Sequence, residues 1–262
     1  MREIIILILI FLLIILLLVN VKKKKVINYM VTNSLQYKDS LYWVDLILNN
    51  QNFNSMIDTG SNLVVVKGDT CEACTPGSSL PVNRTNPNYL TASYGGGQDI
   101  KYIQESIFSP QFGKEIEVSV VKSGSNPQGY VQNILGLLNS SLGLETLTLD
   151  FPNMQILFNN SLSRQGTPAD LLSIPYLSFA ISHYEDINMI ILDTGSNFVM
   201  SNIPFPDGFR FVVGNMEIVV PPELIKTGQN ITPHSVVIGN LILSKYKWEI
   251  DFSEKKLWVY QK

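Results

Sequence analysis

Histidine is scarce in this chain of 262 residues, with only His183 and His234 present. Hydrolysis through a serine or cysteine nucleophile needs a positioned base, and neither histidine has a nucleophile elbow to serve. Cysteine is equally sparse. Cys71 and Cys74 form one Cys-x-x-Cys, without the second ligand pair of a zinc site or the strand-to-helix setting of a redox motif. A small disulfide or two free thiols remain. Charged residues make up 16% of the chain and the net charge is -3, which offers no basic face to phosphate backbones and excludes a nucleic-acid partner. Amphipathic helical periodicity is rare too, and the best short candidate is 141–148.

One long apolar run is present. Ile4 to Val19 carries no polar residue and is followed by Lys22, Lys23, Lys24 and Lys25. As a helix its sixteen residues rise about 1.5 Å each and nearly cross a hydrocarbon core of about 30 Å. No pair of small residues marks a cleavage site after the run, so 1–21 is expected to be an uncleaved transmembrane anchor, with 22–40 a basic and polar linker. The lysines would keep the body cytoplasmic. The sequons at Asn83, Asn139, Asn159 and Asn230 and the cysteine pair favour a lumenal or extracellular body, which is the expectation.

From Leu41 onward, short β-prone runs alternate with clusters of Gly, Pro and Asn. They include 41–48, 116–121, 209–213, 217–220 and 256–260, so the class is mainly β. Within this pattern one segment is repeated. Met56-Ile57-Asp58-Thr59-Gly60-Ser61-Asn62-Leu63-Val64 recurs as Ile191-Leu192-Asp193-Thr194-Gly195-Ser196-Asn197-Phe198-Val199. Each copy is followed later by an apolar stretch ending in glycine: Ile134-Leu135-Gly136-Leu137, then Val237-Ile238-Gly239-Asn240.

A single Asp-Thr-Gly reads as a surface turn. Two copies, each behind residues suited to a buried strand, read as a pair of carboxylates brought to one place. Two close carboxylates cannot both ionise readily, so they share a proton and offer a base and an acid together. Gly60 and Gly195 would let the backbone turn amide donors toward the acids, Thr59 and Thr194 would bond across the two loops, and the Ser61 and Ser196 hydroxyls would reach the outer carboxylate oxygens.

Together these residues resemble the pepsin-like aspartic protease family from about Leu41 to Tyr260. Leu41-Tyr42-Trp43-Val44 leading to Asp58 is similar to the family's first hairpin. Ser93-Tyr94-Gly95-Gly96-Gly97 looks like the flap that closes over substrate, which makes Tyr94 the flap tyrosine and Gly95 and Gly96 its substrate-facing tip. Cys71 and Cys74 lie where many members carry a small disulfide loop, and Val64 and Val65 stand where many have a tryptophan.

The resemblance implies a mainly β, bilobal acid-protease fold with pseudo-twofold symmetry. Its N-terminal lobe would span 41–165, and a C-terminal lobe, shortened after the second motif, 166–262. It implies an endopeptidase with Asp58 and Asp193 as catalytic pair, acting as a monomer on an extended polypeptide substrate, with no metal or cofactor. The alternative is a catalytically silent relative that binds peptides or a partner in the same cleft.

Overall fold

Tight turns of Asn, Asp and Ser join the first strands of this chain, in a computed structural model that describes residues 31–261 apart from 83, 84, 86, 87, 95, 96, 128, 173–175, 182, 183, 185, 229 and 230. The first strands are β1 (Val31–Ser34), β2 (Gln36–Lys38), β3 (Leu41–Leu48), β4 (Gln51–Asp58) and β5 (Val64–Lys67). Asp39-Ser40 and Asn49-Asn50 join β2 to β3 and β3 to β4 with positive φ at both positions. Two-residue turns of this kind match the twist of a hairpin. Next come β6 (Leu90–Ser93), β7 (Asp99–Ser109), β8 (Lys114–Ser125) and β9 (Ile134–Gly136). These strands build an eight-stranded sheet in the order β2-β3-β4-β9-β5-β8-β7-β6.

The remaining strands are β10 (Thr146–Asp150), β11 (Gln155–Phe158), β12 (Ala169–Asp170), β13 (Ser178–Ala180), β14 (Met189–Leu192), β15 (Val199–Ser201), β16 (Phe209–Val213), β17 (Met216–Val220), β18 (Ile225–Thr227), β19 (Ser235–Ile238), β20 (Tyr246–Asp251) and β21 (Lys256–Gln261). The only α-helix among the described residues is the single turn α1 (Asn240–Leu243). A five-stranded sheet runs β13-β14-β19-β15-β18, and β16 and β17 form a separate hairpin. A six-stranded sheet, β1-β11-β10-β20-β21-β12, draws strands from both ends of the chain.

The eight-stranded and five-stranded sheets share one local plan. In the first, β9 lies parallel to β4 and antiparallel to β5, which lies parallel to β8. In the second, β19 lies parallel to β14 and antiparallel to β15, which lies parallel to β18. The later strand of each half thus inserts between two strands that the Asp-Thr-Gly loop connects. That insertion brings backbone very close to the loop: a Cβ on Gly136 would lie 2.3 Å from the Leu63 carbonyl oxygen, and one on Gly239 2.4 Å from that of Phe198. Only glycine fits there. The recurrence of the apolar-Gly element therefore has a steric cause. β14 and β19 are buried at every position, as parallel strands covered on both faces should be.

The five β-prone runs all fall within strands, but three boundaries differ from expectation. The segment expected as linker up to 40 is already folded at β1 and β2. Apart from Val31 their residues carry polar groups, and both lie at sheet edges where one neighbour, β11 or β3, supplies the hydrogen bonds. The stretch 141–148 is not a helix. A 3₁₀ turn at Ser140–Leu142 stops at Gly143, which is left-handed, and the alternating Thr-Leu-Thr-Leu then enters β10. The six-stranded sheet also straddles the boundary drawn at 165, with β10 paired to β20 through Leu147 opposite Ile250 and Leu149 opposite Trp248. One core cluster accordingly runs from Leu35 and Phe53 to Phe209 and Trp248.

No helix among the described residues is long and apolar enough to cross a membrane, and the run Ile4 to Val19 lies outside them. Two sequons lie in tight polar packing: Asn139 caps the 3₁₀ turn and is buried, and Asn159 accepts the Glu145 N–H at 2.8 Å. Asn83 and Asn230 lie outside the described residues.

Candidate active site

Asp58 ends β4 and Asp193 directly follows β14, so each parallel strand pair delivers one carboxylate to the same point. The Asp58 backbone carbonyl accepts the Leu137 N–H at 2.9 Å, and the Asp193 N–H donates to the Ile238 carbonyl at 3.0 Å. Each acid is thus held by the strand inserted in its own half. The two side chains face each other across Gly60, where a Cβ would lie 3.0 Å from Asp193 Oδ1 and 3.2 Å from Asp58 Oδ1.

Between the loops lies a closed ring of four hydrogen bonds made by two threonines. Thr59 Oγ1 donates to the Leu192 carbonyl at 2.7 Å and accepts the Thr194 N–H at 3.0 Å. Thr194 Oγ1 donates to the Ile57 carbonyl at 2.9 Å and accepts the Thr59 N–H at 3.0 Å. Both threonines are buried. Each bond crosses between the halves, so the ring sets the separation of the loops as well as their shape.

The glycines stand against the acids. Gly60 N–H donates to Asp58 Oδ1 at 2.7 Å, and Gly195 N–H donates to Asp193 Oδ1 at 2.8 Å. A Cβ on Gly195 would sit 2.9 Å from Asp58 Cγ, and one on Gly60 3.0 Å from Asp193 Oδ1. Each glycine therefore leaves room for the opposite carboxylate.

The serine hydroxyls do not take the expected role. Ser196 Oγ donates to the Phe198 carbonyl at 3.2 Å, and Ser61 Oγ accepts the Leu63 N–H at 3.1 Å. Each closes a local turn with the residue two positions on, the usual competition between a short hydroxyl side chain and its own backbone. Asp58 is supported instead by the backbone N–H groups of Gly60 and Ser61.

Burial, the Asp193 charge beside it and the shared hydrogen bond hold the Asp58 carboxyl well above the ordinary carboxylate range, with the Gly60 amide opposing them. Burial also raises Asp193, while the Gly195 amide and the Asp58 side chain oppose the rise. The two titrate as a pair, and that pair retains one proton where isolated carboxylates would have lost theirs. A base and an acid in contact can remove a proton from one reactant and add one to another in a single step.

The acids open into a cleft of about 580 Å³. Met56, Ile134 and Phe198 give it apolar walls, and Gln98 and Gln132 a polar one. Tyr94 lines it as well, just past β6 in a hairpin closed by the Tyr94 N–H to Gln98 carbonyl bond at 2.9 Å. Burial raises the Tyr94 hydroxyl; it faces Ser61, close to Asp58, without a full hydrogen bond to either. Gly95 and Gly96 lie outside the described residues. Cys71 and Cys74 are joined in a disulfide and belong to a buried cluster with Trp43 and Tyr102, against which Tyr94 packs. Among the described residues no three His, Cys, Asp or Glu side chains converge as a metal set.

Two contributors were not anticipated. Gln98 is buried and accepts the Gln132 N–H at 2.8 Å, tying the Tyr94 hairpin to the cleft wall; nothing in the spacing marks it. Asn240 is fully buried and its Nδ2 donates to the Thr194 carbonyl at 2.7 Å. Its signal was available, because the first copy of the repeat has an apolar Leu137 at the same step after glycine. No protein-family model matches the chain, and no curated protein matches its sequence.

Proposed function

We propose that this chain is an aspartic endopeptidase of the pepsin-like, bilobal kind, anchored to a membrane by its N-terminal apolar run. The observation that carries the proposal is the pair of facing carboxylates, the buried Asp58 and the half-buried Asp193, flanked by symmetric loops that a four-bond threonine ring ties together. An arrangement with two equivalent acids and one shared proton suits amide hydrolysis by water. The ionised carboxylate takes a proton from water as its oxygen attacks the carbonyl carbon, and the protonated one gives its proton to the carbonyl oxygen. The tetrahedral gem-diol then collapses: the C–N bond breaks as the leaving nitrogen takes the proton held by one carboxyl, and a gem-diol hydroxyl gives its proton to the other carboxylate as the new carbonyl forms, which restores the one-proton pair.

The cleft supports a polypeptide substrate. Its lining draws on both halves, from Leu41, Met56 and Ile134 to Met200 and Ile231, with both acids and Tyr94 among the lining residues. Extended peptides bind such clefts through their backbone, with alternate side chains entering the apolar walls. Asp58→Asn and Asp193→Asn are each expected to abolish cleavage of an unfolded protein at mildly acidic pH, and a pepstatin-like inhibitor to block the wild type. Activity that survives either substitution refutes the assignment.

A silent, peptide-binding role is the second reading. What favours it is the Tyr94 hydroxyl, buried without a hydrogen-bond partner among the described residues where many members of the family supply a tryptophan. Peptide binding by wild type and by Asp58→Asn alike, with no cleavage by either, is its signature.

A further inference from the structure

The two halves differ at one buried position beside the acids. Gly136 is followed by Leu137, and Gly239 by Asn240. Both residues are buried, Asn240 completely. Asn240 Nδ2 points at two acceptors, the Thr194 carbonyl at 2.7 Å and the Ser40 carbonyl at 3.3 Å, which fixes the amide with its nitrogen toward them. Its Oδ1 is buried and meets no donor among the described residues. A buried amide with an unused oxygen is costly, and a short helix needs no such residue at its first position. The side chain is therefore present for its donor.

That donor acts on a specific peptide. The Thr194 carbonyl and the Gly195 N–H belong to the same peptide unit, and the Gly195 N–H is the group that donates to Asp193 Oδ1 at 2.8 Å. A hydrogen bond to the carbonyl polarises the unit and strengthens its N–H as a donor. Asn240, the Thr194–Gly195 peptide and Asp193 thus form one chain of hydrogen bonds ending on a carboxylate oxygen. Leu137 offers the first loop nothing equivalent, and Asp58 is also the more buried acid. Resting on the two-carboxylate assignment above, we propose that Asn240 is a positioning residue that makes Asp193 the ionised member of the pair, which accepts the water proton, and leaves the shared proton on Asp58.

The test is a titration of aspartate carboxyl carbons by ¹³C NMR in the full chain, with the two signals assigned by Asp58→Asn and Asp193→Asn. In the wild type the lower step is expected on Asp193; a lower step on Asp58 overturns the proposal without any variant of Asn240. Asn240→Leu copies the first half. It should move the Asp193 step and the acid limb of the kcat profile to higher pH and lower kcat about tenfold with KM unchanged. Asn240→Asp should regain the donor only when protonated, so its kcat should approach wild type in acid and fall early as pH rises. Unchanged titrations and limbs in a folded Asn240→Leu overturn the proposal. A chain that cleaves nothing, yet titrates Asp193 first and shifts with Asn240→Leu, refutes the protease assignment and upholds this one.

Discussion

Replacing Thr59 by valine keeps the side chain's shape and removes one hydroxyl that both donates and accepts. The Leu192 carbonyl loses its 2.7 Å donor and the Thr194 N–H its 3.0 Å acceptor, in a place where Thr59 and Thr194 are no more than 1% exposed. Leaving one buried polar group unsatisfied costs about 1–3 kcal/mol, so the pair costs about 2–6 kcal/mol. Measured against a total folding stability of about 5–15 kcal/mol, that is a large share. Thr59→Ser keeps the hydroxyl and loses a methyl, which costs about 1 kcal/mol. Urea unfolding of the two variants beside wild type is the assay, and it needs no assumption about activity. A valine variant within about 0.5 kcal/mol of wild type would behave like a surface substitution and refute the ring as a stabilising element. So would a serine variant as damaged as the valine one.

Three further outcomes follow from the same contacts. Burial alone would raise Glu249, but Lys247 and the hydrogen bonds from Ser163, Arg164 and Tyr260 hold it below the ordinary value. Its contribution is present above the unfolded carboxylate pKa and lost as pH falls through the folded one. Glu249→Gln should therefore cost about 1.5–3 kcal/mol near neutrality and little in acid, as thermal melts across pH will read. Asp58 has the opposite sign: raised by burial and by Asp193, it weakens the fold increasingly as pH rises from the unfolded value through the folded one, so Asp58→Asn should melt above wild type at neutral pH and lose that advantage in acid. Gly136→Ala drives a Cβ to 2.3 Å from the Leu63 carbonyl oxygen, and the backbone shift needed should cost about 1–3 kcal/mol by denaturation and slow cleavage as the first loop moves.

The strands that were legible in the sequence are those whose side chains alone decide the outcome. Phe209–Val213 alternates buried and exposed, and Leu41–Leu48 is bounded by turn residues that only a hairpin accommodates. The acids were legible because duplication reports a pairing that no single copy could. β1 was not, since its four residues are strand only by virtue of partners some 120 positions away, Val31 opposite Phe158 and Ser34 opposite Gln155. Such pairing leaves no local trace. The serine hydroxyls were assigned by chemistry, and the structure gives them to nearer backbone groups, Leu63 and Phe198. Local geometry decided there, because a bond to the second residue on orders fewer groups than one reaching a carboxylate.

The six-stranded sheet explains how two halves can hold one shared proton. Carboxylates in contact demand that the loops keep their spacing to a fraction of an ångström, and the threonine ring alone spans only a few atoms. Beneath it, β10 of one half pairs along its whole length with β20 of the other. The chain that connects the halves is pinned to that same strand: Ser163 Oγ and the Ser163 and Arg164 N–H groups bond Glu249, while Arg164 pairs with the buried Asp251 at 2.6 Å. The connection is therefore a strap and not a hinge, and the halves are expected to stay fixed as ligand enters. Opening must then fall to the β6–β7 hairpin. β6 is exposed at three of its four residues and pairs only with β7, the low-stability setting from which moving covers are drawn. Hydrogen exchange should accordingly be fast along β6 and slow through β10 and β20. The reverse order would place the opening between the halves, and the strap could not then be what holds the acids together.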